Sequence, residues 1–393
     1  MSTFEGIIKE IPGISVDRFD GKNLNSTAFF LSHCHSDHMS GLNTVSFQNK
    51  LITDNLTLYV SSVSAEILKR LYPEIQKNVQ TLPVEQCSVV KVHNEWHVSV
   101  TCIPAGHCPG SVMFLFETNH GSRILYTGDF RINTEDITKF KCFYDKFNEV
   151  KPVDKIYLDT TFFSPLYSSL PKRQDSLDEL CKLILNWTTL DPANCVKLDL
   201  RAKYGYEYAF KEIFAKCKMP VHVDQEKFNF YSLIPEMDEC VTTNGNETQI
   251  HNCKFIQKDV CVFCNKDKLR IIRLSAFRWH GDDFTRGISE VDSEGVFYVC
   301  YSTHASYQEG RALINFLRPK DIHVCVKEPN NPDGNVAMEI LIKKELDRVN
   351  RIEKKKVEST NKLFSIEQIG WGEPRKRSRK NEDSGGVLDS PPR

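Results

Sequence analysis

The run His33-Cys-His35-Ser-Asp37-His38 constrains this chain more than any other feature, because it packs three imidazoles and a carboxylate into six residues. On a strand end or tight loop, alternating positions aim His33 and His35 one way, while the adjacent Asp37 and His38 turn to the other side. The run can therefore face two metal positions. Imidazole nitrogen and carboxylate oxygen suit zinc, and a catalytic zinc keeps one coordination position for water. Two ions need further ligands, and the chain offers them in loops that directly flank strands. These are His107 in Pro104-Ala-Gly-His-Cys-Pro-Gly110 and Asp129 in Tyr126-Thr-Gly-Asp-Phe-Arg131. The glycines let the backbone pass close to the ions.

A chain of 393 residues has room for two domains, or for one domain with a large insertion. From about residue 10 to 160, short apolar strands such as Ser99–Ile103, Met113–Phe116 and Arg123–Tyr126 predict a strand-rich unit with one helix near Ala65–Leu71. Then the texture changes. Leu177, Leu180, Ile184 and Trp187 share one face of a predicted amphipathic helix, and strands alternate with helices to about residue 300. A strand at Phe297–Tyr301, a helix over Gln308–Leu317, a strand at His323–Val326 and a helix over Val336–Val349 follow. Beyond about residue 350 the chain turns polar, with the basic run Arg375-Lys-Arg-Ser-Arg-Lys380, and reads as a disordered tail.

The start of the chain has no basic stretch followed by an apolar one, and no run of about 18 apolar residues occurs, so neither secretion nor membrane attachment is expected. Fourteen cysteines without a framework fit a reduced compartment. Lys plus Arg number 51 against 52 Asp plus Glu, so any binding of nucleic acid must come from local patches rather than a global field.

His33-x-His35-x-Asp37-His38, then Ala105-Gly-His107, then Thr127-Gly-Asp129 resembles the metallo-β-lactamase superfamily. Leu158-Asp-Thr-Thr161 after a strand and Ser302-Thr-His304-Ala-Ser-Tyr307 before a helix resemble the motifs that bound the β-CASP insertion of nucleic-acid nucleases. Within that group, Phe4-Glu-Gly6, Ile14-Ser-Val-Asp-Arg-Phe-Asp20, Phe30-Leu-Ser-His33, Pro104 to Phe116 and Tyr204-Gly-Tyr-Glu-Tyr208 are similar to the endonucleases of DNA end joining, over roughly residues 4 to 330. The resemblance implies an α/β fold, a metallo-β-lactamase αββα sandwich with an inserted α/β β-CASP domain. The expected division is 1–155 and 303–350 for the two parts of the sandwich, 156–302 for the insertion and 351–393 for the tail.

Carried over position by position, the resemblance implies one zinc on His33, His35, His107 and Asp129. A second falls on Asp37, His38, the bridging Asp129 and His304, with Mg2+ or Mn2+ able to support activity. Asp159 would orient His304, and Asp17 would order the metal loop. The implied activity is a structure-specific DNA endonuclease that opens hairpins and trims overhangs in double-strand break repair by end joining. The alternatives are a 5′-phosphate-dependent exonuclease of cross-link repair and an RNA-processing nuclease of the same fold. Exonuclease relatives carry Gly-Lys-Glu, where the lysine seats a terminal phosphate; this chain has Gly205-Tyr-Glu207, and Tyr206 cannot supply that charge. RNA-cleaving relatives commonly carry a further His after the last core strand, where this chain has an apolar residue, Val326, with His323 nearby.

Arg131, Arg201, Lys203, Tyr204 and Tyr206 are the candidate DNA contacts. The set His222, His251, Cys253 and one of Cys261 and Cys264 could close a tetrahedral structural zinc site in the insertion. The basic run in the tail resembles a nuclear localisation signal. A monomer acting on DNA ends, hairpins and overhangs in the nucleus is expected. The resemblance also raises DNA-dependent protein kinase and an end-joining ligase complex as partners, although the tail is short for either.

Overall fold

The structure is a computed structural model that describes residues 2–369 apart from 94–95, 201–204, 254–260, 262, 264–265, 282–286 and 329. Residues Met1–Asp347 form one compact unit. Its first sheet has four parallel strands in sequential order: β1 (Ile14–Val16), β2 (Ala28–Leu31), β3 (Thr57–Val60) and β4 (Val79–Thr81). A second sheet contains β5 (Cys87–His93), β6 (Trp96–Pro104), β7 (Val112–Thr118), β8 (Arg123–Tyr126) and β9 (Lys155–Leu158). A last edge strand, Asp321–Val324, pairs in parallel with β9, so a late segment completes an early sheet.

Period-two alternation explains how the first sheet packs on both faces. Ala28 and Phe30 of β2 point inward to a core shared with Val98, Val100, Val112, Phe114, Phe116 and Tyr126 of the second sheet. Phe29 and Leu31 point outward to Phe47 and Leu51 of the helix Val45–Thr53 and to Ile67 and Leu68 of the helix Ser62–Leu71. The sheets thus face each other with helices outside, the expected αββα sandwich. The helix Val45–Thr53 was not anticipated from sequence. The next begins at Ser62 rather than Ala65, because Ser61 caps it by accepting from the Ser64 N–H.

The third sheet is built wholly from residues between Cys195 and Val299, in the order β12 (Val241–Thr242), β11 (Val221–His222), β13 (Ile250–His251), β10 (Cys195–Leu198), β14 (Leu269–Leu274), β16 (Phe297–Val299) and β15 (Ser289–Val291). All neighbours are parallel except β15 with β16. The helices Arg173–Thr188 and Glu207–Cys217 place Leu177, Leu180, Ile184, Phe210 and Ile213 in its core. Chain then returns to the sandwich through the helix Tyr307–Leu317, opened by a capping box between Ser306 and Glu309.

Two expectations need correction. The last strand is Asp321–Val324, ending before Val326. The final helix runs Pro332–Ile369, and the second compact unit, Arg348–Arg393, is helical up to Ile369 where a disordered tail was expected. Arg351-Ile-Glu-Lys-Lys-Lys-Val-Glu358 is dominated by strong helix formers, and that propensity outweighed the polar composition. The run Arg375–Lys380 lies outside the described residues.

Candidate metal centre

Every candidate residue of the catalytic set, ligand or orienting group, follows a strand. Asp17 comes directly after β1, the His33–His38 run after β2, His107 after β6, Asp129 after β8, Asp159 after β9 and His304 after β16. Asp17 adopts a left-handed φ of 56°, which turns its side chain back under the metal loop. Its buried carboxylate accepts the Ser32 N–H at 2.6 Å, the Ser32 hydroxyl at 2.5 Å and the Tyr126 hydroxyl at 2.8 Å. His38 Nδ1 lies 2.8 Å from the same carboxylate, which directs its Nε2 toward Asp129. Ser32 also meets His33 Nδ1 at 3.0 Å, leaving His33 Nε2 to face the cluster.

At the centre is the Asp129 carboxylate. His38 Nε2 is 3.2 Å from it, His107 Nε2 3.6 Å, His33 Nε2 3.8 Å and His304 Nε2 3.9 Å. His35 Nδ1 and His107 Nε2 approach to 3.0 Å, while His107 Nδ1 is fixed by the Thr303 carbonyl at 2.9 Å. Donors at about 2.1 Å from a tetrahedral ion stand about 3.4 Å apart, so these separations fit shared coordination. The buried His33 Nε2 has no hydrogen-bond partner among the described residues, a state that costs free energy unless a cation takes the lone pair. Asp37 Oδ2 lies 3.9 Å from His38 Nε2, and His304 Nδ1 lies 2.9 Å from Asp159.

Electrostatics agree with a cation site. Burial and the neighbouring imidazoles of His38, His35 and His107 push the His33 pKa well below its ordinary value, keeping its lone pair available. Burial opposes charge on His38 too, but Asp129 and Asp17 on either side hold its pKa well above the usual value. Burial would neutralise Asp129, yet His38 and His304 keep it ionised far below the normal carboxylate range. The family's metal chemistry and this donor set fit each other.

The cluster forms the floor of a cleft of about 620 Å³, and Tyr206 is among its lining residues. Arg131 does not. It is 7% exposed, and its guanidinium donates to the carbonyls of Ser302 and Pro171 and pairs with Glu309. It clamps the start of the helix Tyr307–Leu317 and is closed to substrate. Proximity in sequence to Asp129 gave the wrong expectation because the residues after Asp129 turn inward. Arg201, Lys203 and Tyr204 lie outside the described residues. His323 packs against Tyr157 and Phe4, away from the cluster.

The opposite wall was missed from sequence. Arg273, Phe277, Arg278 and Tyr298 line the cleft, with the Arg278 guanidinium 3.9 Å above the Tyr298 ring and Phe277 63% exposed. Phe277 rests on Phe162, centroids 4.9 Å apart, and Phe162 in turn reaches His304 at 6.2 Å. Two arginines flanking an exposed aromatic at a strand end, Arg273-Leu-Ser-Ala-Phe-Arg278, was the available signal. The placement of Glu207 beneath the cleft was also not anticipated. Fully buried, it accepts the Gly205 N–H at 2.8 Å, which holds Gly205 in a positive φ against the His35 ring.

In the inserted sheet, His222 and His251 are register partners on adjacent strands, with Nδ1 atoms 3.0 Å apart. Cys261 Sγ lies 3.9 Å from each, and Cys253 joins His222 and Cys261 in a group whose ligand atoms are all within 4.8 Å. Cys264 lies outside the described residues.

Two outcomes follow from this geometry. Arg131→Ala leaves the Ser302 and Pro171 carbonyls without their donor and the half-buried Glu309 without its cation, and lowers the unfolding free energy by about 1–3 kcal/mol in urea titration, while DNA affinity of the folded fraction stays unchanged. Burial pushes the Glu207 carboxyl from 4.5 up to about 7. The folded state therefore keeps a proton that the unfolded chain has released, and this stability is full below the unfolded value and lost as pH rises through the folded one. Between pH 5 and 8 the metal-free parent loses about 1–3 kcal/mol more than Glu207→Gln, measured by denaturant unfolding at each pH.

A family model described as a beta-lactamase superfamily domain matches residues 22–222, and one described as DNA repair metallo-beta-lactamase matches residues 235–330. The chain is 34% identical to Protein artemis of Mus musculus over 82% of its length and 48% of the relative, and 34% identical to that of Gallus gallus over 87% and 50%. It is 30% identical to DNA cross-link repair 1A protein of Homo sapiens, over 80% of this chain and 30% of that one. The chain thus spans about half the length of the Artemis proteins it matches. With its ligand cluster on strand ends of an αββα sandwich and both family segments in order, the chain belongs to the metallo-beta-lactamase superfamily, in its Artemis-like DNA repair branch.

Proposed function

We propose that this chain is a metal-dependent, structure-specific DNA endonuclease that opens hairpins and trims overhangs in double-strand break repair by end joining, acting in the nucleus. The observation that carries the reading is the Asp129-centred donor cluster on the floor of a cleft whose far wall presents Arg273, Phe277 and Arg278. Two zinc ions, or zinc with Mg2+ or Mn2+ in the second position, would activate water and neutralise charge developing on the phosphate oxygens. His33, His35, His107 and Asp129 would hold the first. Asp37, His38, Asp129 and His304 would hold the second.

The chain's own residues do the positioning. Asp17 fixes the His38 ring and Asp159 the His304 ring, each by accepting a hydrogen bond from Nδ1 that leaves Nε2 directed at Asp129. Phe277 offers a face on which a base outside the duplex stack can rest, with Arg273 and Arg278 beside it, paired to Asp199 and Glu290 through Nε. Hairpin tips and strand junctions are where such unstacked bases occur. Tyr206 brings no cation to a terminal phosphate, which favours internal cutting over end-dependent digestion. The Artemis relatives, named as such, and a relative named for DNA cross-link repair support DNA as the substrate. We further read residues 156–302 as a β-CASP insertion with its own structural zinc on His222, His251, Cys253 and Cys261 or Cys264, between sandwich segments 1–155 and 303–350.

The purified chain with a divalent ion is expected to cut a closed DNA hairpin. Asp37→Ala reduces the rate by about 1000-fold or more, and Phe277→Ala weakens hairpin binding by about 1–3 kcal/mol while leaving metal content intact. Digestion only from a phosphorylated 5′ end would support the cross-link repair exonuclease instead, and cleavage of RNA alone would sink both. For the insertion, His251→Ala is expected to lose about one zinc per chain by elemental analysis, with the catalytic ions retained.

A further inference from the structure

Asp37 differs from the other carboxylates of the centre in how it is held. Asp17 is fixed by four polar contacts, and Asp159 is held by the Thr161 N–H and hydroxyl as well as by His304. Asp37 has a partly exposed side chain, and among the described residues the one hydrogen bond it receives is from the Ser2 N–H, at 2.8 Å. Backbone bonds from the His38 N–H to the His35 carbonyl and from the Met39 N–H to the Ser36 carbonyl close the turn around it, while its carboxylate receives no further hydrogen bond among the described residues.

Ser2 is in place because the two residues after it are fastened to the far side of the sandwich. The Thr3 N–H and hydroxyl both donate to the Cys325 carbonyl, at 3.0 and 3.2 Å, and the same hydroxyl accepts the Lys327 N–H at 2.7 Å. Phe4 is buried between Tyr126, Tyr157 and His323, with centroids 5.2, 5.3 and 5.7 Å away. Residues 325–326 are in turn bound to the end of β9, Cys325 N to the Leu158 carbonyl and Val326 N to the Thr160 hydroxyl. Asp159 lies between those two anchor points.

We infer that Ser2–Phe4 is a strap that positions Asp37, with Thr3 as its lock, so that affinity for the second metal depends on a segment outside the ligand motif. The strap ties Asp37 to the same strand ends that carry Asp159. The Ser2 N–H holds Asp37 Oδ2, the oxygen that stands 3.9 Å from His38 Nε2, and so sets the direction in which the carboxylate meets the centre, the usual way a surrounding shell sets ligand orientation. The inference rests on the proposed assignment of Asp37 as a ligand.

The test is zinc and Mn2+ binding to the metal-free chain by equilibrium dialysis, with metal counted per chain. Thr3→Val keeps the side chain's shape and removes both hydroxyl bonds. It is expected to weaken one of the bound ions by about 10-fold, with Thr3→Ser restoring parent affinity and thermal unfolding of the metal-free chain unmoved. Deleting residues 1–3 is expected to weaken the same ion at least as far. Parent affinity in both Thr3→Val and the deletion would overturn the inference. So would an equal fall in metal-free stability that Thr3→Ser fails to repair, because the segment would then serve packing alone. Asp37→Ala reads the ligand assignment separately. If it binds metal as the parent does, that assignment falls and the strap with it. If it loses the ion while the strap variants keep theirs, only the strap falls.

Discussion

The Asp17 carboxylate is the constraint on which the centre depends. It is buried between the two sheets, and its oxygens are shared by the loop after β2, by Tyr126 at the end of β8 and by the ring of His38. An ionised group there would be costly without such bonds. With them, one side chain sets the distance between the sheets at their functional rim and the direction in which His38 and His33 present their nitrogens. The left-handed φ of Asp17 is the local cost of this arrangement, and the surrounding hydrogen bonds over-determine it.

From that anchor the rest follows as a problem of charge. Asp129 sits among imidazoles of which some are driven neutral and some hold a proton in the absence of metal. Such a mixture is poorly satisfied as a set of hydrogen bonds and well satisfied as a set of ligands. The layered fold makes this tolerable, because large apolar rings such as Phe30, Phe114 and Phe116 fill the space between the sheets behind the site. Polar cost is confined to the strand ends, where the sheets open on the cleft.

Legibility in the sequence varied with how local each feature is. The ligand motifs were readable because each is a short segment at a strand end, and strand ends of one sandwich meet by construction. His222 and His251 entered the reading as members of one candidate ligand set, and only the register shows that they are direct partners on adjacent strands. Arg131 was misjudged. A cation two residues from a ligand looks like substrate machinery, but whether it faces the cleft or the interior depends on Ser302, Pro171 and Glu309, which are distant in sequence. The continuing helix beyond residue 350 was misjudged because a polar composition was taken to outweigh strong helix propensity.

By itself the sequence determined which atoms can bind metal, their order along the chain and the class of fold that brings them together, because ligand chemistry and strand periodicity are properties of short segments. Tertiary structure alone decided which charges are available to a substrate and which are structural. It assembled the Arg273, Phe277 and Arg278 wall opposite ligands from His33 to Asp129, far earlier in the chain, and it brought Ser2 onto Asp37 across the end of β9. Those relations are set by packing between segments far apart in sequence, and no local pattern encodes such a contact.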